Sequence, residues 1–539
     1  MTDQPPQDQQ PPTPPTPPVP PNGPPPGYGY PQAPPPPPQP GYGYPAQPGY
    51  GYPAQPPTVV AGDDTRAREN RAIALIILAA VVAIGLIIGS GVWYARSSGH
   101  GGAAAAPGGG KNGTPTVTPG KEKAPDDPVA HLLFKVPQPD VGDDIVTTDG
   151  AWLTDTVYAN TGVSEVVGYD PDDGTKRWTI KLPGPVCAGS EHVTADGRTA
   201  IVFRPSMPSR TKLARCSQIA ALDLVKGTRL WTRAIGTGDF ATTYDNITVA
   251  GNTVAAGGTG GGVAYDMTTG KALWQPKSSD TCADTGYGGG TRLVAVRKCG
   301  EFDNETLSIQ TLDPTSGKVR SEYKLGAGIR YAGIVSTDPL VVGAEAGGSA
   351  GGGSGVSDYF SIDGRTGKLL ARIPVPGDTY DGKCDTIQHV EDCRGVVAGE
   401  GRLYLATKEH KDTGEFGDTN EIVAFDLTTG KQTGKRAPAG KGRTIYPLRM
   451  DGGNLLAWKV VEYGENGELV SIDGAAFTAT TLLEIPSDKA SHDLSVGMGV
   501  EYVKYRFARG KLFMSQVSVG KPIGIGPAEN LIVAFGTRD

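Results

Sequence analysis

The sequence is poor in the signals that usually announce chemistry. Its six cysteines include no adjacent pair and no Cys-x-x-Cys. Its six histidines (His100, His131, His192, His389, His410 and His492) show no His-x-x-x-His and no paired spacing. A tetrahedral metal site therefore has no spacing to rest on. Aromatic residues are only 7%, and no basic block occurs in a chain of 539 residues with a formal charge of −7. An electrostatic track for a phosphate backbone is missing, which sets nucleic acid aside. Beyond residue 131 no long stretch keeps a helical apolar period, which argues against helical repeats. Glycine runs are present at GGGKNG (108–113), GGTGGG (257–262) and GGSAGGGSG (347–355). The first lacks a Ser or Thr after its Lys and the others precede no helix pattern, so none reads as a phosphate loop.

What is there is unevenly distributed. Residues 1–65 are Pro-rich and carry PGYGYP at 26–31, 40–45 and 48–53. With almost no branched aliphatics to bury, this tail is expected to be disordered. Its tyrosines (Tyr28, Tyr30, Tyr42, Tyr44, Tyr50 and Tyr52) are the contacts a cytoplasmic partner would use, because polyproline II segments lose little entropy on docking. Residues 72–92 hold no charge over 21 positions. As a helix they span roughly 31 Å, a bilayer's hydrocarbon thickness. Trp93 and Tyr94 follow as interface aromatics, and Arg66, Arg68 and Arg71 precede the span. Residues 66–96 are thus expected to be a single transmembrane helix with flanks, its N-terminus cytoplasmic and the rest of the chain outside the plasma membrane. Gly85 and Gly89 form a G-x-x-x-G, a pairing face or a lipid-facing pair. Residues 97–128, rich in Gly, Ala and Pro, read as a flexible linker.

From residue 131 the chain repeats itself. The unit is an apolar run, Asp, three residues, Gly, then often a Trp. It reads VVGYDPDDGTKRW at 166–178 (Asp170, Gly174, Trp178), IAALDLVKGTRLW at 219–231 (Asp223, Gly227, Trp231) and GVAYDMTTGKALW at 262–274 (Asp266, Gly270, Trp274). Weaker copies are IQTLDPTSGKVRS (Asp313, Gly317), YFSIDGRTGKLLA (Asp363, Gly367) and IVAFDLTTGKQTG (Asp426, Gly430). LVSIDGAAF (469–477) is decayed, and LIVAFGTRD (531–539) ends the chain. Alternating apolar residues make a strand, Asp opens a tight turn, Gly takes the left-handed position, and a second strand ends on a docking Trp. Spacings of 43 to 63 residues between the turns suit a four-stranded propeller blade. The fold expected over 131–539 is an all-β, eight-bladed propeller, with seven blades the alternative. The last copy lacks its outer strand, and HLLFKVPQP (131–139) resembles that strand, so it is expected to complete the final blade.

These Asp-x-x-x-Gly-[Lys/Thr]-x-x-Trp units resemble the tryptophan-docking repeats of the pyrroloquinoline-quinone-like propeller superfamily, which includes quinoprotein dehydrogenases and BamB-type scaffolds. The layout of tail, span, stalk and propeller also resembles envelope proteins of actinobacteria. The resemblance implies that the superfamily's enzymes hold the quinone over a Trp floor, beneath a disulfide of adjacent cysteines, with a calcium ion and a catalytic Asp. This chain has no adjacent cysteines and no long insertions to roof such a pocket. No catalytic, cofactor or metal residue is carried across, and no cofactor is expected. Calcium and pyrroloquinoline quinone stay open.

All six cysteines (Cys187, Cys216, Cys282, Cys299, Cys384 and Cys393) lie beyond the apolar span, as an oxidising exterior favours. Six cysteines allow fifteen pairings. Consecutive pairing is expected, because each pair begins shortly after a blade's outer strand and would staple one blade, contributing ~2–4 kcal/mol. Asp170, Asp172 and Asp173 look like the start of a calcium loop but coincide with a repeat turn and lack the closing Glu. The acidic DTGEFGDTNE (412–421) reads as a solvated loop, and His389 with Glu391 and Asp392 as surface polarity. The function expected is a non-enzymatic, membrane-anchored binding or scaffold module for an envelope protein, peptide or wall ligand. The alternatives are a sensor coupling an outside ligand to a partner of the tail, and a divergent quinone- or metal-dependent oxidoreductase.

Overall fold

A computed structural model of the chain describes residues 122–538, apart from 210–213, 237–240, 278, 301–303, 347–354, 412–416, 462–466, 500–501 and 522–528. The expected tail, span and Gly85/Gly89 pair, and the linker up to residue 121, lie outside the described residues. Among the described residues no helix is long and apolar enough to cross a membrane.

The repeat unit folds as its chemistry dictates. In blade 3 the Asp266 carboxylate accepts the Thr269 N–H at 2.7 Å, and the Gly270 N–H donates to the Asp266 carbonyl at 2.8 Å. Gly270 takes φ +65°, which a side chain would strain. The same turn recurs at Asp170, Asp223, Asp313, Asp363, Asp426 and Asp473. At Asp313 the Arg320 guanidinium and the Ser316 hydroxyl hold the carboxyl down at about 2.

Seven units supply the last hairpin of an antiparallel four-stranded sheet and the final one supplies a third strand, and among the described residues there are eight such sheets. Blade 1 begins at Ala151–Leu153 and ends at Lys176–Lys181; blades 2, 3 and 4 begin at Val186–Gly189, Asn246–Ala250 and Cys282–Gly288. Blades 5, 6 and 7 begin at Ala332–Thr337, Val396–Gly399 and Arg443–Asp451. Blade 8 has Val503–Ala508, Lys511–Gln516 and Asn530–Gly536, and its fourth strand is His131–Pro137, antiparallel to Asn530–Gly536. The N-terminal segment thus closes the ring as the repeat pattern anticipates. A short helix, α1 (Lys489–Val496), joins blade 7 to blade 8, with Asp488 capping Ser491 N at 3.0 Å.

Eight apolar clusters sit at the eight interfaces between neighbouring blades. In blade 2, Ala200 and Val202 pack toward blade 3 while Ile201 and Phe203 pack toward blade 1. Successive side chains leave a strand on opposite faces, so these strands are apolar at every position because both faces are covered. The docking tryptophans fit the next blade's turn: Trp178 lies over Gly227, Trp231 over Gly270 and Trp274 over Gly317. Phe134 in the closing strand does the same over Gly174. Between blades 6 and 7 the bulk is exchanged. The docking position is Gly434, and the turn position is Phe477, at φ +60°, buried against Ala437 and Ala439.

Trp231 is buried and its indole N–H donates to Met267 O at 2.8 Å. Trp231→Ala is expected to cost about 3–5 kcal/mol in urea unfolding. A loss below about 1 kcal/mol would mean the docking contact is not a principal tie between blades.

Candidate functional site

The first strands of the blades surround the central axis, and one loop enters it. Between blade 5's outer strand (Lys368–Pro374) and blade 6, Lys383–Cys384 pairs with Cys393–Arg394 in a short hairpin. Cys384 and Cys393 are joined, so residues 385–392 form a covalently closed loop. Gly333 lets this hairpin approach blade 5, since a Cβ there would lie 2.6 Å from Cys384. Val390 is buried in the apolar cluster between blades 4 and 5, and its carbonyl accepts the Ile334 N–H at 2.5 Å. Gly286 leaves room for it. Glu391 Oε1 accepts the Gly289 N–H of blade 4 at 2.8 Å and meets His192 Nε2 of blade 2 at 2.9 Å. The loop therefore crosses the channel and ties blades 2, 4 and 5 together. We call it the plug.

A second set of polar groups gathers where the ring closes. Lys504 of blade 8 lies 2.5 Å from Asp149, just before blade 1, and also pairs with Glu191, just after blade 2's first strand. Arg506 donates to Glu191 at 2.7 Å and to Ala151 O at 2.9 Å. Burial alone would raise the Glu191 carboxyl, but Lys504 and Arg506 outweigh it and hold it far below the carboxylate range. Burial likewise opposes the Lys504 ammonium, and Asp149 and Glu191 raise it above its ordinary value. At His192, burial works to lower the imidazole, while the Glu391 carboxylate, with Glu191 adding to it and Arg506 opposing, holds it above its ordinary value.

Beside the plug is a cavity of about 490 Å³. Its walls are Ile334–Asp338 of blade 5, Val396–Ala398 of blade 6, Tyr446–Met450 of blade 7 and Val503–Arg506 of blade 8, and residues 391–395 of the plug complete it. Glu191 and His192 of blade 2 and the turn 289–291 of blade 4 complete the lining. Arg449 is held by Asp451 at 3.4 Å and by Glu122 at 3.5 Å. Glu122 also accepts the Arg509 N–H at 2.8 Å, so the chain entering the propeller is fastened close to this cavity.

The disulfides are Cys187–Cys216, Cys282–Cys299 and Cys384–Cys393. The first lies within blade 2, and the second joins directly opposed residues of blade 4's first two strands. The third staples no blade; it closes the plug, a difference from the expected pattern that follows from the long connection between blades 5 and 6. Of His389, Glu391 and Asp392, which lie in that loop, Glu391 is the one engaged by other blades, through His192 and the Gly289 N–H. Asp170 and Asp173 are spent on turn N–H groups, and Asp172 pairs with Lys511. Among the described residues no group of three or more His, Cys, Asp or Glu side chains is placed to hold a metal ion. The acidic 412–421 stretch falls partly outside the described residues; within it Asp418 pairs with Lys411 at 2.6 Å. Sequence reasoning missed Asp149, Glu191, His192, Lys504 and Arg506. The one available signal was Val503–Phe507, where Lys504 and Arg506 interrupt an otherwise apolar strand.

Two outcomes follow from this geometry. Glu191→Gln leaves Arg506 without its carboxylate and is expected to cost about 2 kcal/mol in thermal unfolding. An unchanged midpoint would show that the pair is solvated to no net effect. A raised His192 pKa stabilises the fold fully below the unfolded histidine value of about 6.5, and this contribution fades as pH rises through the folded value. Urea midpoints of the native chain should therefore fall between about pH 6 and about pH 8.5 by more than those of His192→Gln. Parallel curves for the two proteins would remove the His192–Glu391 contact as a pH-dependent tie.

The family model described as outer membrane protein assembly factor BamB matches residues 138–283, which contain blades 1 to 3. No curated protein matches the sequence. Among solved structures, BamB from Moraxella catarrhalis is similar at 11% identity, covering 76% of this chain and 100% of that one, with a TM-score of 0.40. The quinohemoprotein alcohol dehydrogenase of Pseudomonas putida HK5 is similar at 13% identity, covering 76% and 77%, with a TM-score of 0.43. That of Comamonas testosteroni is similar at 11% identity, covering 76% and 76%, with a TM-score of 0.42. Eight four-stranded sheets and the repeat turns make the described residues an eight-bladed β-propeller, which over residues 138–283 is similar to the family described as outer membrane protein assembly factor BamB.

Proposed function

We propose that the propeller is a non-catalytic binding or scaffold module, carried outside the plasma membrane by the 72–92 span and offered to an envelope protein, peptide or wall ligand. One observation carries this reading. The channel, where a propeller gathers its polar groups, is crossed by the chain's own plug, and the charged side chains lining the cavity beside the plug are engaged in ion pairs. Glu191 is held by Lys504 and Arg506, and Glu391 is held by His192 and Gly289 N. General acid–base work needs a group that is free to exchange a proton with a substrate, whereas these pairs favour a fixed, pre-formed surface. The three disulfides support an oxidising compartment. The match to the BamB family supports protein–protein interaction as the mode of use.

In-cell crosslinking of the full-length protein, beside variants lacking residues 1–65 or 131–539, tests this. Partners should be lost with the propeller and retained without the tail. Protease added to intact cells should digest the propeller and spare the tail. Partners that vanish only with the tail, or a propeller protected from external protease, would overturn the reading.

A further inference from the structure

The wall of the axial cavity carries many full charges in mutual balance. Lys504 and Arg506 converge on Glu191, and Lys504 also reaches Asp149. Arg394 pairs with Asp392, Arg449 with Asp451, and Asp338 with Arg292. A charged ligand would have to displace one member of such a pair and leave the other unpartnered, which is costly at a half-buried site. A neutral ligand rich in hydroxyls displaces nothing, because each hydroxyl both donates to a carboxylate and accepts from a guanidinium.

Unused hydrogen-bonding capacity is present. Arg506 spends Nε on Ala151 O, Nη1 on Tyr505 O and Nη2 on Glu191, three of the five N–H donors a guanidinium has. The Tyr505 hydroxyl has no hydrogen-bond partner among the described residues. Tyr446 of blade 7 lines the same cavity, its hydroxyl donating to Glu409 at 2.9 Å. Trp458 backs Tyr505 with ring centroids 5.6 Å apart, fixing that ring in place. Tyrosines combine an apolar face with a polar rim, the surface on which the C–H face of a sugar ring packs. The cavity's volume of about 490 Å³ lies within the roughly 300–1,000 Å³ of small-molecule sites.

We propose that this cavity binds an uncharged saccharide unit, held between Tyr505, Tyr446 and the Arg506–Glu191 pair. The inference rests on the reading of the protein as a binding module and names its ligand class. A free sugar and a residue of a wall polymer share this chemistry.

The test uses the full chain in lipid nanodiscs, since glycoside detergents carry the same head-group chemistry. Calorimetric titration compares maltose, cellobiose and N,N′-diacetylchitobiose with gluconate and spermidine. At least one neutral disaccharide should bind saturably, about tenfold more weakly in Tyr505→Ala and in Arg506→Met, and equally well in Val496→Ser, whose side chain is exposed on α1. Should Arg506→Met fail to fold, Tyr505→Phe, which removes only a hydroxyl, should still weaken binding several-fold. Co-sedimentation with insoluble wall glycan identifies the source: retention there without disaccharide binding assigns a polymer, and binding of both includes free sugar. No neutral saccharide bound in either arm, preference for the charged probes, or binding indifferent to Tyr505 and Arg506 would overturn the assignment. Crosslinked partners that persist alongside such a failure would leave the scaffold reading standing and remove only this site.

Discussion

Every blade is a sheet with two apolar faces, and that constraint governs the whole structure. Ala200, Ile201, Val202 and Phe203 are consecutive, all fully or nearly fully buried, and point alternately into two different cores. Such a sheet cannot stand alone in water, because either face left open exposes a continuous apolar surface. Stacking solves the problem for every blade except the two at the ends, and a ring has no ends. The cluster between blades 8 and 1 joins Phe513, Ile532 and Ala534 to Ala151, Tyr158 and Val167. It is an interface like the other seven. What makes it possible is the strand His131–Pro137, which lets blade 8 contain both the first and the last described strands of the chain.

Closing the ring concentrates polar groups in one place. The interblade spaces are filled with apolar side chains, and charged residues on the first strands gather near the axis. There Lys504 and Arg506 of blade 8 find Asp149 and Glu191 from either side of blade 1. These contacts bridge residues more than 300 positions apart at the seam where the two ends of the propeller meet. Side chains here keep some solvent contact, with Lys504 12% and Glu191 30% exposed, so the desolvation that makes a fully buried ion pair unfavourable is only partial. The favourable directions of the Glu191 and Lys504 shifts agree with that balance.

Legibility in the sequence followed the range of the interaction. The Asp-to-Gly turns were readable because a turn is decided by adjacent residues, and Asp266, Thr269 and Gly270 act within one turn. Closure by residues 131–139 was also readable, since the last repeat lacked a strand and the first segment supplied one. The exchange of bulk between Gly434 and Phe477 looked like decay in the sequence, because the two positions compensate one another across a blade boundary. The site was not readable. His192 and Glu391 are 199 residues apart, and nothing in the local sequence of either one names the other. Glu391 looked like a polar loop residue, and only the path of the 375–395 connection brings it to the axis.

The disulfide in the plug has a physical reason that Cys282–Cys299 does not share. Cys282–Cys299 bridges strands that already hold each other through a ladder of hydrogen bonds, so the cross-link adds to an existing constraint. The plug has little of its own to hold it. Of residues 385–392 only Val390 is buried, and the two-residue hairpin at its base is too short to be stable alone. Ordering eight such residues costs on the order of 1–2 kcal/mol each in backbone entropy, more than one valine and a few hydrogen bonds restore. Linking Cys384 to Cys393 removes part of that cost in advance by restricting the unfolded loop. The covalent tie thus sits where packing is weak, and it lets a thin polar segment cross the axis and deliver Glu391 to two other blades.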